Sequence, residues 1–166
     1  YLGELDRSKT PRLEMIRSVM ERAGMQPQGE DDIIATIWGK FVLNCSINPL
    51  CAIADLRPGH IREVEAFDEF QSKIIEEVLA LIEAKGVVLA DPDPLATIKA
   101  YSAKKFHRVS MQQHLLRERP TEIDSLNGYV ARESERLGLK APYNDALTRI
   151  VKGRQYQPEG EGEHIP

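Results

Sequence analysis

The stretch "IWGKFVLNCSINPLCAI", residues 37–53, is predominantly apolar and long enough to form a buried α-helix. It nevertheless carries Lys40, Asn44 and Asn48 at a spacing of four residues, and Pro49 follows directly. Four residues advance an α-helix by about 400°, so the three polar side chains share one face. We therefore expect this helix to bury its apolar side and to present the polar stripe to a cleft.

The polar stripe has a second interpretation, in which Lys40 extends into solvent from an ordinary amphipathic helix. Two asparagines in mid-helix weaken that interpretation, because asparagine is a poor helix former. Pro49 cannot donate a hydrogen bond to the carbonyl of Cys45, and its ring disfavours the helical conformation at Asn48. The sequence therefore predicts a kink at Asn48 and a freed carbonyl, although a capping turn between two short helices would also explain the proline.

Nearly every other long segment has helical periodicity with helical start and stop signals. No strand pattern is longer than "GVVLA" (86–90), and the chain contains neither a repeat of fixed period nor a glycine-rich phosphate loop. The sequence therefore predicts an all-α fold with six or seven helices and a turn at residues 57–59. The residues that mark the helix ends are Thr10, Gly24, Asp31 or Asp32, Gly86, the stretch "DPDP" (91–94), Thr121 with its capping-box partner Asp124, and Gly138, before a last helix over about 142–152.

Composition and charge limit the classes of partner. The net charge of −4 argues against a nucleic-acid surface, and we see no signal peptide or transmembrane run. We therefore expect no nucleic-acid partner, no membrane partner and a cytoplasmic location. Cys45 and Cys51 lie too far apart around one helix for a disulfide, and we interpret them as buried thiols. No cysteine or histidine spacing suggests a metal site.

Two further motifs carry polar groups. Ser110 and His114 lie four residues apart in "SMQQH" and can share a helix face, but nothing supplies the nucleophile elbow of a hydrolase. Spacing alone therefore favours a polar helix surface. Glu122 suits the first turn of a helix, where an acid complements the helix dipole. The pair Asn127-Gly128 falls inside a segment predicted to continue as helix, which indicates close packing against backbone or ligand.

Three motifs in this order resemble the C-terminal domain of the ketopantoate reductase (2-dehydropantoate 2-reductase) family: "WGKFVLNCSINPLCAI", "SMQQHLLRERPTEIDSLNGYV" and "LGLKAPYNDAL". The resemblance covers about residues 1–152. It implies a domain similar to the 6-phosphogluconate dehydrogenase C-terminal-like fold over residues 9–152. Residues 1–8 would be the remnant of an interdomain connection, and residues 153–166 a disordered tail. The N-terminal Rossmann domain of the family is expected to be absent from this chain.

The resemblance also implies a reaction. Members reduce ketopantoate to pantoate with hydride from NADPH, a step of pantothenate and coenzyme A biosynthesis. NADPH would lie mainly on the absent Rossmann domain, and a small 2-oxo acid would lie in the cleft between the domains. We therefore expect the isolated chain to be inactive in hydride transfer. The resemblance makes a homodimer a further expectation.

Site residues follow from matching positions. The resemblance implies two catalytic residues. Lys40 corresponds to the catalytic lysine of the family, and Glu122 to a functionally important glutamate that accepts a hydrogen bond from the substrate hydroxyl or from the lysine. Asn44, Asn48 and Ser110 correspond to substrate-binding residues, while cofactor-binding residues are not identifiable in this chain. One position departs from the family pattern, because His114 stands where an acid is common. Two alternatives therefore stay open, namely a related reductase of another 2-oxo acid and a free-standing helical dimerisation or binding module.

Overall fold

The structure, a computed structural model, describes residues 1–156. Within this part of the chain the fold is all-α, as predicted, and one isolated parallel bridge joins Leu2 to Gly29. The expected disorder of residues 157–166 lies outside the described residues. The helices are α1 (Pro11–Arg22), α2 (Ile33–Ala54), α3 (Glu65–Ala84), α4 (Pro94–Ser102), α5 (Ser110–Leu116), α6 (Asn127–Arg136) and α7 (Pro142–Gln155), with 3₁₀ helices at Pro58–Glu63 and Ile123–Ser125.

Helix α2 is the central element of the domain and packs against α3, α5 and α7. The side chain of Asp32 accepts a hydrogen bond from the backbone N–H of Ala35 and caps the helix, as predicted. Residues 45–52 are all buried. By length and composition alone α2 could span a membrane, but half of its most apolar window is buried inside the domain. That burial is typical of a core helix.

The two thiols on α2 are buried and unpaired with each other, as predicted. Burial raises the pKa of the Cys45 thiol well above its ordinary value. Burial also raises the pKa of the Cys51 thiol, to about 12. Both groups therefore stay protonated at neutral pH and act as apolar side chains in the core.

Pro49 lies inside α2 and does not end it, so the interpretation as a capping turn between two helices is wrong. The predicted free carbonyl is that of Cys45, and it accepts a hydrogen bond from Asn127 Nδ2 at 3.0 Å. The same amide nitrogen donates to Asn144 Oδ1 at 2.9 Å. Asn144 in turn donates to Glu77 Oε2 at 2.7 Å. This network joins α2, α6, α7 and α3 around the proline.

The predicted helix cap at Thr121, with Asp124 as its partner, is wrong. The chain forms a short 3₁₀ helix here, and α6 begins only at Asn127. The Thr121 hydroxyl donates to Gln155 and accepts only a long bond, of 3.4 Å, from the Ile123 N–H of the 3₁₀ helix. A tertiary contact competes for the partner residue, because Asp124 accepts a bond from Lys152 at 3.0 Å. Asn127 and Gly128, which were predicted to lie inside a helix, are therefore its first two residues.

The prediction of close packing at Gly128 is confirmed. A Cβ atom built there would lie 3.2 Å from Asp124 Oδ1 and 3.3 Å from Thr148 Cγ2. Both distances are tighter than ordinary van der Waals contact. The small residue therefore lets α6 approach α7 closely beside the Asn127 network.

Two other segments differ from expectation. The expected turn at residues 57–59 opens the 3₁₀ helix Pro58–Glu63. The last helix extends to Gln155, beyond the predicted end at residue 152. Tertiary bonds explain the extension, because Arg154 donates to the carbonyl of Ile53 and Gln155 accepts from Thr121. Residues 153–155, expected to belong to the tail, are therefore part of the helical domain.

Replacing Asn127 by alanine should lower the free energy of unfolding by about 2–3 kcal/mol, because the buried Cys45 carbonyl loses its hydrogen-bond donor. Urea unfolding followed by circular dichroism measures this change. In a Pro49→Ala background, residue 49 regains an N–H that can donate to the same carbonyl. The Asn127→Ala substitution should then cost about 1 kcal/mol less. Equal costs in the two backgrounds would contradict the assigned role of Asn127.

Candidate substrate cavity

The polar stripe of α2 borders a cavity of about 380 Å³. Lys40, Asn44 and Asn48 all line it, as their common helix face predicts. The opposite wall consists of α5 and the segment that precedes it. The remaining lining residues are Leu43, Ile47, Pro58, Tyr101, Lys105, His107, Arg108, Val109, Ser110, Gln113, His114 and Arg117.

The three side chains of the polar stripe are buried to different degrees. Lys40 is exposed, Asn44 is half-buried, and Asn48 is only 7% exposed. No hydrogen bond or ion pair within residues 1–156 engages the Lys40 ammonium. The stripe therefore runs from an open cationic end to an enclosed amide next to Pro49. Such a gradient suits a small ligand that is desolvated at one end.

The cavity lining is positively charged. Lys40, Lys105, Arg108 and Arg117 line it, and no aspartate or glutamate of the described residues does so. Opposite charges attract strongly in a partly enclosed site, where the effective dielectric constant is lower than in water. The cavity is therefore suited to an anion such as a carboxylate.

The α5 wall is built on one carboxylate that lies behind it. Ser110 Oγ donates to Glu122 Oε1 at 2.8 Å, and His114 Nδ1 lies 3.0 Å from Glu122 Oε2. Glu122 itself does not line the cavity. Ser110 is thus bonded to the glutamate and not to His114, which argues against a serine–histidine hydrolase.

Glu122 is held in its ionised form. Burial raises the pKa of its carboxyl, but the backbone hydrogen bond and the bonds from Ser110 and His114 outweigh burial and keep that pKa below the ordinary value of 4.5. At neutral pH the group is therefore a carboxylate, which can only accept hydrogen bonds. Ser110 and His114 must therefore both donate hydrogen bonds to the Glu122 carboxylate.

The basic segment 103–109, between α4 and α5, is anchored by a glycine. Gly59 N donates to the Lys105 carbonyl at 2.7 Å, and a Cβ atom at Gly59 would collide with the Phe106 ring. The Phe106 ring also meets the His60 ring edge-on, with centroids 5.4 Å apart. Phe106 thus anchors the segment that carries four of the lining residues, namely Lys105, His107, Arg108 and Val109.

Four of the residues that the sequence suggested for the site line one cavity, namely Lys40, Asn44, Asn48 and Ser110. Sequence reasoning did not find the whole lining. It missed the basic residues of the opposite wall and His107, which also lines the cavity. Nothing in the local pattern of these residues points to the stripe, because they follow it by more than fifty positions. Among the described residues no cluster of three metal-ligating side chains occurs.

The amino-acid sequence matches a known protein family. Residues 32–155 match the family described as ketopantoate reductase PanE/ApbA C terminal. The 2-dehydropantoate 2-reductase of Archaeoglobus fulgidus is 28% identical over 153 residues, which cover 92% of this chain and 51% of the relative. The chain thus spans about half the length of the curated relatives it matches.

Solved structures share the fold. The PanE/ApbA family ketopantoate reductase from Ralstonia eutropha JMP134 has a TM-score of 0.82 at 29% identity, over 88% of this chain and 49% of that one. A D-mandelate dehydrogenase bound to NADH and anilino(oxo)acetate has a TM-score of 0.77 at 23% identity, over 89% and 63% of the two chains. The second likeness shows the fold alone. With the family match over residues 32–155, these findings establish that the chain belongs to the ketopantoate reductase PanE/ApbA C-terminal family.

Proposed function

We propose that this chain is the substrate-binding half of an NADPH-dependent 2-dehydropantoate 2-reductase, which reduces ketopantoate to pantoate for pantothenate and coenzyme A biosynthesis. One observation carries the proposal: Lys40, Asn44 and Asn48 border a single cavity that none of the described carboxylates lines. Ketopantoate presents a carboxylate, a keto oxygen and a hydroxyl, so it needs cationic and amide partners within one small cavity. Family membership and the named relatives support the same reaction.

Lys40 acts as the catalytic acid in this proposal. Its ammonium donates a hydrogen bond to the keto oxygen and stabilises the negative charge that develops there during reduction. It then transfers a proton to the resulting alkoxide. The exposed position of Lys40, without an ion pair inside residues 1–156, leaves its ammonium available for this bond. Reduced nicotinamide supplies the hydride when the cofactor is bound.

The two asparagines bind the substrate. Their amide groups can donate to a carboxylate and can also accept from a hydroxyl. Asn48, the most buried of the stripe, contacts the end of the substrate that is removed from water. Ser110 contacts the substrate from the α5 wall. Glu122 acts through Ser110 and His114 as a positioning residue, which corrects the expectation that it meets the substrate or Lys40 directly.

The cofactor is placed outside this chain. The described residues contain no strand, glycine turn and helix of the kind that binds a dinucleotide, and no GxGxxG motif occurs in the sequence. We therefore propose a two-domain reductase, in which this chain joins a Rossmann domain that holds the nucleotide and closes the cavity. The family resemblance favours NADPH, whereas the D-mandelate dehydrogenase of the same fold is bound to NADH.

The cytoplasmic location and the homodimer stay predictions. Helix α1 contains no buried residue, and its apolar side chains Ile16 and Val19 are 41% and 50% exposed. A covering surface would stabilise this apolar face. The Rossmann domain and a second copy of the chain are the two candidates for that surface.

One alternative has a specific observation in its favour. His114 lines the cavity at a position where the family often has an acid, which changes the hydrogen-bonding character of the α5 wall. A reductase of another 2-oxo acid would fit the same stripe. An NADPH-oxidation assay of the two-domain reductase, with ketopantoate beside other branched 2-oxo acids, tests the proposal. Faster reduction of another acid would contradict the assignment to ketopantoate, and no reduction of any acid would contradict the reductase function.

In the two-domain reductase, Lys40→Ala should lower kcat by about 10²–10⁴-fold with a smaller change in KM, because the bond from the ammonium strengthens in the transition state. Steady-state NADPH oxidation measures both constants. Lys140→Ala removes an exposed lysine outside the cavity and serves as the control. Unchanged kcat in the Lys40 variant would rule out the acid role.

Asn48→Ala should raise KM for ketopantoate by roughly 10- to 100-fold, with a smaller effect on kcat, because a buried hydrogen bond to a polar substrate group is lost. The same assay provides the constants. Gln28→Ala, which removes an amide from an exposed position outside the cavity, is the matched control. A KM equal to that of the wild type would count against substrate contact.

Glu122→Gln should destabilise the chain by about 0.5–1 kcal/mol at pH 7, because an ionised acceptor of two hydrogen bonds is lost. The pKa of Glu122 is lowered on folding, so its stabilising contribution is complete above the ordinary value of 4.5. That contribution disappears as pH falls through the lower folded value. Urea unfolding at pH 7 and at progressively lower pH should show the difference between the two chains shrinking. A pH-independent difference would show that charge is not involved.

A further inference from the structure

The imidazole of His114 connects Glu122 with the cavity. Its Nδ1 lies 3.0 Å from Glu122 Oε2, while the residue itself lines the cavity and its side chain is 37% exposed. No hydrogen bond joins its Nε2 to another residue of the described chain. Nδ1 is therefore hydrogen-bonded to the Glu122 carboxylate behind the cavity wall, and Nε2 is available to a ligand.

The committed bond decides which nitrogen carries the proton. An ionised carboxylate has no proton to donate, so the contact between Nδ1 and Glu122 requires a proton on Nδ1. In a neutral imidazole Nε2 is then without hydrogen and can only accept. The other oxygen of Glu122 already accepts a hydrogen bond from Ser110 Oγ, which fixes the carboxylate between the two side chains. The α5 wall therefore presents a hydrogen-bond acceptor at His114.

Lysine and arginine side chains on both sides of the cavity offer only donors, among them Lys40 and Arg108, whereas the neutral His114 imidazole offers an acceptor. On α2, the asparagine amides can donate beside Lys40. A carboxylate and a keto oxygen, which only accept, are therefore satisfied on the α2 side. A substrate group that meets Nε2 of His114 must instead donate a hydrogen bond. Among the groups of a small oxo acid, a hydroxyl meets that requirement.

We propose that His114 is a specificity-determining residue that accepts a hydrogen bond at Nε2 from a substrate hydroxyl, so that the cavity selects hydroxylated 2-oxo acids. This inference rests on the proposed function, because it assigns a role within the same cavity. It goes further by orienting the substrate, with its hydroxyl towards α5 and its carboxylate and keto oxygen towards α2. Glu122 is the residue that positions the imidazole for this contact.

The tautomer can be measured directly on the 166-residue chain. Long-range ¹⁵N–¹H correlation spectra at neutral pH distinguish Nδ1–H from Nε2–H imidazole, and the His114→Asn chain identifies the His114 signals by their loss. We expect the Nδ1–H form in the wild type and a larger Nε2–H fraction in Glu122→Gln. A wild-type His114 that is mainly Nε2–H would overturn the proposal.

Selectivity is measured on the two-domain reductase. Ketopantoate is compared with 3,3-dimethyl-2-oxobutanoate, which lacks only the hydroxyl. In His114→Asn the amide can still donate to Glu122 but no longer reaches the place of Nε2. The ratio of kcat/KM values, ketopantoate over the deoxy acid, should fall by roughly five- to tenfold, which is the value of one hydrogen bond. The matched variant His114→Gln places an amide oxygen near Nε2 and should restore much of the ratio.

The outcomes separate this proposal from the proposed function. A purely structural role of His114 would lower kcat/KM for both acids equally, in Asn and Gln variants alike, and that result would overturn the proposal while leaving the reductase function intact. Failure of the wild-type enzyme to reduce either acid would instead refute the proposed function, and this inference with it. A loss confined to ketopantoate and repaired by glutamine supports the hydroxyl contact.

Discussion

The domain is organised around the hydrogen bond between Asn127 and the carbonyl of Cys45. Pro49 removes the N–H that would otherwise satisfy this carbonyl, and a buried carbonyl without a donor is costly. The compensating donor comes from the first residue of α6, and the same amide bonds to Asn144 of α7. A defect in one helix thereby holds three helices together, with α3 joined through Glu77.

This constraint has a direct consequence for the cavity. Asn48 immediately precedes the proline, so the network that holds α2 at Cys45 also holds the buried end of the polar stripe. The facing wall has its own support, in which Glu122 binds Ser110 and His114 and Phe106 packs on Gly59. The side chains that we propose to meet a substrate are thus held in position by residues behind them, and such positioning is a requirement for catalysis.

The predictions that succeeded depend on neighbours within one helix. The cap at Asp32 and the common face of Lys40 and Asn48 follow from helix geometry, which a single sequence contains. The capping box predicted at Thr121 failed because its partner Asp124 binds Lys152, which lies 28 residues away. Local rules rank the competitors for a hydrogen bond within one turn, and they cannot include a competitor supplied by another helix.

The sequence by itself determined the all-α class, the helix that carries the polar stripe and the freed carbonyl beside Pro49, since all three follow from periodicity and from the missing N–H of proline. Only the tertiary structure decided that Asn127 donates a hydrogen bond to that carbonyl. The tertiary structure also decided that a basic segment faces the stripe and that Glu122 lies behind the cavity wall. The physical reason is that these contacts join residues far apart in the chain. Their distances depend on how whole helices pack, and no spacing along the sequence encodes that packing.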